Sequence, residues 1–204
     1  MENEKLFFYD LETTGVKYWK NGIHQISGGI VIGSEIVETF DFKVKPNANA
    51  VIEDEALEIA GITREDLENY EDMASVYVRI ENMLGRYVDK FNKADKFHLA
   101  GYNNSSFDNQ FFRAFFVQNA VTKKAADYGN YFGSWFWSDT IDVMVLASFY
   151  LRKERAKLVD FKLKTVAQYL GIEIDESKLH DAEYDIYLTI EIFKILRKSF
   201  EAGK

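Results

Sequence analysis

The stretch Lys5-Leu6-Phe7-Phe8-Tyr9-Asp10-Leu11-Glu12-Thr13-Thr14-Gly15 decides how the chain is read. Lys5 to Asp10 is a short apolar run whose length and aromatic content suit a buried strand. Side chains two apart on a strand share a face, so Asp10 and Glu12 point the same way at its end. Two carboxylates that close repel one another, and apolar surroundings worsen the repulsion. A divalent cation removes the difficulty, and hard ions such as Mg²⁺ or Mn²⁺ choose carboxylate oxygen. The competing reading is a solvated strand terminus.

Working outward, Ile23 to Ile32 reads as a second strand, with a bulge or a close backbone approach at Gly28-Gly29. Gly33-Ser34-Glu35 turns into a third strand near Val37 to Val44, ended by Pro46, which makes an antiparallel meander. Thr63 with Asp66 three residues later forms a capping arrangement, and a helix follows over about Met73 to Lys90. Phe97 to Gly101 is a fourth strand, then a helix from about Ser106 to Asn119. Trp135 to Trp137 is a fifth strand, leading into a helix from Thr140 to Tyr150. Leu163 to Leu170 is helical with Gly171 as its stop, and a last helix runs from about Asp181 to Lys198. The pattern predicts a mixed α/β layer fold in one domain, residues 1–204.

Two further carboxylates stand at element boundaries. Asp108 falls in Gly101-Tyr102-Asn103-Asn104-Ser105-Ser106-Phe107-Asp108, where a strand, a polar turn and a helix start follow one another. A first-turn acid favoured by the helix dipole is the alternative for it. His180-Asp181-Ala182-Glu183-Tyr184-Asp185 supplies a histidine and another acid. On one continuous helix these ends would diverge by about 140°, so their convergence needs His180 in the loop before the helix. Asp185 then shares a face with Ala182 and Thr189.

The bulk numbers set limits. Among 204 residues, 47% are hydrophobic and 28% charged, an ordinary globular composition. No apolar run approaches the roughly 20 residues of a membrane span, the start is not a signal peptide, and cytoplasmic residence is expected. The absence of cysteine excludes disulfides, thiol catalysis and thiolate zinc sites. A net charge of −8 opposes the basic surface that phosphate contacts need. Either the ligand is not a nucleic acid, or acids gather at a metal site while bases gather elsewhere. Leu151 to Lys164 favours the second reading, with Arg152, Lys153, Arg155, Lys157, Lys162 and Lys164 against Glu154 and Asp160. Its alternative is a solvated helix or loop face. The aromatic segment Tyr128 to Trp137 is either a stacking platform or core, and His24 and His98 lack metal-ligand spacing and read as structural.

Four carboxylates and a histidine in this order resemble the DEDDh branch of the DnaQ-like 3′–5′ exonucleases, from about Leu6 to Leu196. Gly101-Tyr102-Asn103-Asn104-x-x-Phe107-Asp108, Asp139-Thr140-Ile141-Asp142-Val143-Met144 and Leu179-His180-Asp181-Ala182 are most similar to exonuclease I-like nuclease domains. The resemblance implies an RNase H-like α/β fold, a five-stranded mixed sheet flanked by helices. It implies two Mg²⁺ or Mn²⁺ ions held by Asp10, Glu12, Asp108 and Asp185, with His180 as general base. It further implies contacts to the 3′ end of a single strand from Leu11, Thr13, Asn104 and Phe107, with DNA favoured over RNA and 5′-mononucleotides as products.

Exonuclease I-like relatives carry further C-terminal domains that hold single-stranded DNA. The expected behaviour here is therefore distributive, or dependent on a partner's grip. Within the same resemblance stand an exoribonuclease of the RNase T or oligoribonuclease kind and a proofreading subunit with a polymerase or repair partner. A haloacid dehalogenase-like phosphatase fails because Glu12 occupies the place of its second aspartate. A catalytically silent nucleic-acid-binding module fits less well, since all five expected residues are present.

Overall fold

A computed structural model describes residues 4–178 and 182–202. In chain order the regular elements are β1 (Lys5–Thr13), β2 (Ile23–Ile32), β3 (Glu35–Lys45), α1 (Asp54–Ala60), α2 (Arg64–Asn69), β4 (Glu71–Asp72), α3 (Met73–Gly85) and β5 (Phe97–Gly101). There follow α4 (Asp108–Gln118), α5 (Lys123–Asp127), α6 (Phe132–Trp135), β6 (Phe136–Asp142), α7 (Val143–Tyr150), α8 (Leu163–Tyr169) and α9 (Ala182–Ala202).

β1 lies inside the sheet and is covered on both faces, which is why its sequence is a continuous apolar run rather than an alternating one. Phe7, Tyr9 and Leu11 face a core shared with α3 and α4, while Leu6 and Phe8 face a second core built with α7, α8 and α9. Phe7 stacks on Phe40 and Phe112 at 5.0 and 5.8 Å, so large rings from three elements fill the first core. Helices therefore cover both faces, as in α/β layer folds.

The sheet order is β4-β3-β2-β1-β5-β6. β1, β2 and β3 form the antiparallel meander, and β5 and β6 then add in parallel. Six strands replace the expected five. The extra one, β4, pairs only Glu71 and Asp72 with Val44 and Lys45, and two residues carry no readable alternation. β6 also runs to Asp142, so Thr140 and Ile141 are strand rather than helix, paired with Leu99 and Ala100. β-Branched residues suit that pleated position.

β2 is unbroken at its glycine pair. The irregularity against β3 falls instead between Ile30 and Val31. Gly28 marks a close approach: a Cβ there would lie 2.2 Å from the Phe8 carbonyl oxygen and 2.3 Å from the Phe40 ring. The capping box of Thr63 and Asp66 is present on α2. In the aromatic segment, Phe132, Trp135 and Phe136 are core, whereas Tyr128 and Tyr131 are mostly exposed. His24 is buried in β2, and burial with the nearby Lys43 charge holds its pKa down to about 4.

Candidate active site

β1 delivers Asp10 and Glu12 on the face that carries Leu6 and Phe8. Beyond Phe8 the same alternation that buries two apolar side chains next presents two partly buried acids. Asp108 begins α4 and is only 6% exposed. Its Oδ1 accepts the Leu11 backbone N–H at 3.2 Å, which fastens the start of α4 to the end of β1. Alongside, the Tyr9 hydroxyl donates to Asn109 Oδ1. Asp185 sits in the first turn of α9, where an acid is favoured by the helix dipole, and its carbonyl accepts the Thr189 hydroxyl at 2.8 Å.

These groups feel one another. Burial pushes the Asp10 carboxyl well above its usual range, and the charges of Asp108, Glu12 and Asp185 add to the shift. Burial likewise raises Asp108 to about 7; the N–H groups of Asp108 and Leu11 pull it down, while Glu12 and Asp142 push it up. Three acids from β1, α4 and α9 thus lie near enough to Asp10 for their charges to act on it. Among the described residues, no three Asp, Glu or His side chains already converge on a single metal-coordinating point. The donor set itself is all oxygen and all anionic, which suits a hard divalent cation and no soft one.

Asp10 and Asp185 open onto a cleft of about 440 Å³, also lined by Tyr102, Asn103, Phe161 and Lys162. The Tyr102 hydroxyl ties its walls together by donating to the Phe161 carbonyl at 2.6 Å. Among the described residues lining this opening Lys162 is the cation, and nothing in its immediate sequence singles it out. Its only signal was membership of the basic run from Leu151 to Lys164. Other members of that run are engaged elsewhere: Lys157 pairs with Glu154, Lys164 with Glu176, and Arg155 lies over the Phe161 ring.

Asp142 is a second residue the sequence left without a role. It is 7% exposed and collects hydrogen bonds from two directions. From the β5–α4 loop it accepts the N–H of Asn103 at 3.1 Å, the N–H of Ser105 at 3.3 Å and the Ser105 hydroxyl at 2.6 Å. From α7 it accepts the N–H groups of Met144 and Val145, capping that helix. Asn103 takes a left-handed φ of 59°, which asparagine tolerates better than most residues, and its bonded N–H holds that turn. The loop leads directly to Asp108. Asp142→Ala is expected to orphan these donors, costing on the order of 3 kcal/mol and lowering turnover by at least about tenfold, with Asp142→Asn milder on both counts. Thermal melting and single-strand hydrolysis measured together check this; an alanine variant matching wild type in both would refute it.

The structure places the remaining candidate residues as follows. Leu11 is buried in the first core, and Asn104 is 1% exposed with its amide donating to Thr140 Oγ1 at 3.3 Å. Thr13 is partly buried and donates to the Gly15 carbonyl at 2.8 Å. Phe107 is half-buried, its ring 4.9 Å from that of Phe111. His180 lies outside the described residues, with Leu179 and Asp181.

A family model for exonucleases, RNase_T, matches residues 7–193, which include every acid of the cleft. The chain belongs to this exonuclease family. As an exonuclease domain it is similar to E. coli exonuclease I in a zinc-bound complex with single-stranded DNA, with 25% identity and a TM-score of 0.72 over 97% of this chain. It is also similar to E. coli exonuclease I with a dT13 oligonucleotide, at 25% identity and a TM-score of 0.70 over 95% of the chain. In both comparisons it covers 41% of the other chain. A DNA polymerase III of the PolC type from Mycoplasmopsis pulmonis is 24% identical over 192 residues, which is 94% of this exonuclease and 11% of the polymerase. The chain therefore spans well under half the length of these relatives. No helix among the described residues is long and apolar enough to cross a membrane.

Proposed function

We propose that this exonuclease domain removes 5′-mononucleotides from the 3′ end of single-stranded DNA, using two divalent cations and a histidine base. The observation that carries the reading is the electrostatic meeting of Asp108, Glu12 and Asp185 at Asp10. Acids drawn from three separate elements raise one another's cost of ionisation, and a cation lying between them would offset that cost.

Asp10, Glu12, Asp108 and Asp185 would hold the ions, Mg²⁺ or Mn²⁺ by donor chemistry. When bound, such ions neutralise charge at the scissile phosphate and on the attacking and departing oxygens. The chain supplies the rest. His180 takes the proton from the attacking water, a role suited to an unperturbed pKa of about 6.5. Leu11 N–H, by holding Asp108 Oδ1, keeps two acids in register across β1 and α4. Lys162 at the mouth of the cleft meets a phosphate of the incoming strand. Phe107 and Thr13 border the strand end, Phe107 through base stacking. Leu11 and Asn104 contribute from beneath, shaping the floor that the terminal nucleotide rests on.

A time course with single-stranded DNA, duplex DNA and RNA tests the reading, each labelled at the 5′ end, with Mg²⁺, Mn²⁺ or chelator. Expected is a ladder shortening by single nucleotides on single-stranded DNA with either metal and none with chelator. Release of the labelled end first, or an unchanged strand in both metals, refutes it. The PolC-type relative favours a second reading, proofreading beside a polymerase. Faster removal of a mismatched than a matched 3′ end from a primer would support that role.

A further inference from the structure

The acids of the cleft stand at one end of the sheet, and a different kind of surface stands at the other. Lys5 opens β1, and its ammonium binds the Tyr87 carbonyl at 2.5 Å and the Asp95 carboxylate. Both partners belong to the loop between α3 and β5. That loop is further tied by Asp89 N–H to Asp95 Oδ2, Phe91 N–H to Asp89 Oδ1 and Ala94 N–H to Asn92 Oδ1, each at 3.0 Å. From this frame Phe91 projects with 86% of its surface exposed.

Cations and rings alternate along the strip that starts there. Lys90 Nζ lies 5.9 Å from the Phe91 ring and 5.2 Å from that of Trp135. Lys96 Nζ donates to the Gly133 carbonyl at 2.6 Å and lies 5.1 Å from the half-buried Trp137 ring, which in turn neighbours His98 at 6.0 Å. Lys93 is exposed beside them. Of the nearby acids, Asp95 and Glu38 are taken by Lys5 and Arg86, and the exposed Asp139 lies 3.5 Å from His98 Nδ1. Lys90, Lys93 and Lys96 form no ion pair among the described residues, in a chain whose net charge is −8. Glu81 and Asp89 edge the hollow of about 710 Å³ beside Phe91, and they would keep a polyanion to the lysine side.

We propose that this strip is a second contact for single-stranded nucleic acid, with Phe91 stacking on a base and Lys90, Lys93 and Lys96 meeting phosphates. Rings interleaved with cations that carry no ion pair are what a strand bound without sequence preference requires, because every base has a π-face and every nucleotide a phosphate. Along β1, Lys5 to Glu12 spans roughly 23 Å at about 3.3 Å per residue, so only a strand longer than the cleft holds can touch both places. The strip thus makes affinity depend on substrate length. The inference rests on the exonuclease reading for its substrate, and the two can fail separately.

The test uses the full chain in chelator, where binding proceeds without hydrolysis. Anisotropy of fluorescein-labelled dT20 is measured at several salt concentrations for wild type, Phe91→Ala/Lys93→Gln, Lys93→Glu and Phe91→Trp. In parallel, hydrolysis of dT3 with Mg²⁺ reports on the cleft alone. Expected is an increase in Kd for dT20 of about tenfold in the double variant. Its salt slope should shrink by about 0.7, the value of one phosphate contact on a single strand. Lys93→Glu should weaken binding too, Phe91→Trp should bind as wild type does, and dT3 hydrolysis should be unchanged throughout. Affinity and slope for dT20 within twofold of wild type in both Lys93 variants would overturn the strip. Absence of dT3 and dT20 hydrolysis by wild type would instead overturn the exonuclease reading, while leaving the binding result to stand.

Discussion

Asp10→Ala or Asp10→Asn is expected to lower mononucleotide release from single-stranded DNA by at least about a thousandfold. Asp10 is the acid on which the charges of Asp108, Glu12 and Asp185 converge. Losing it removes the shared ligand of the proposed ion pair, and with it several kcal/mol of charge stabilisation at the phosphate; each 1.36 kcal/mol is a factor of ten in rate. Unfolding would mimic this loss, but it can be told apart. Removing one of four mutually repelling acids relieves repulsion, so in chelator the inactive Asp10→Asn protein should melt no lower than wild type. A variant that digests a labelled strand at the wild-type rate would show that the site is misassigned.

The second large effect concerns metal and pH together. Asp108 has an ordinary value of 3.8 and rises to about 7 in the fold. A raised acid favours the protonated form in the native state, so its contribution to stability is full at low pH and is lost as pH climbs from 3.8 through about 7. That span is worth up to about 4 kcal/mol at 1.36 kcal/mol per unit. His24 runs the other way: its value falls to about 4, so it weakens the fold as pH drops below 6.5. Comparing wild type with Asp108→Asn cancels His24, because both proteins carry it. In chelator at pH 8, Asp108→Asn should melt higher by on the order of 10 °C, and the gap should close towards pH 4. Adding Mg²⁺ should raise the Tm of wild type at pH 8 and leave that of Asp108→Asn nearly unmoved, since a ligand that binds only the folded state stabilises it. Equal melting of the two proteins at pH 8, with and without Mg²⁺, would contradict the arrangement.

What the sequence disclosed, and what it hid, follows from the range of the forces involved. Asp10 and Glu12 were legible because strand alternation is local: Leu6 and Phe8 announce the face on which the next two acids lie. The meander was legible for the same reason, and Thr63 with Asp66 because a capping box needs only four residues. β4 was illegible because Glu71 and Asp72 acquire strand geometry from Val44 and Lys45, not from themselves. Thr140 to Asp142 were drawn into a helix by the apolar run behind them, while pairing with β5 keeps them extended. Asp142 looked like one more polar residue, because its partners at Asn103 and Ser105 are 37 to 39 positions away. Phe91 could not be seen to project, since exposure is a property of the surroundings.

The geometry of α9 has a consequence for how the protein is born. Asp185 is carried at one end of this helix, while Arg197 near the other end pairs with Glu4 at 3.0 Å and donates to the Gly33 carbonyl at 2.9 Å. The acid that acts on Asp10 is therefore held in place by a clasp onto the residue before β1 and the turn after β2, closed by an arginine almost two hundred positions downstream. During synthesis a ribosome-bound fragment ending before this helix would own three of the four acids and no clasp. Such a nascent chain should be inert towards the nucleic acid that surrounds it in a translating cell, gaining competence only as α9 docks.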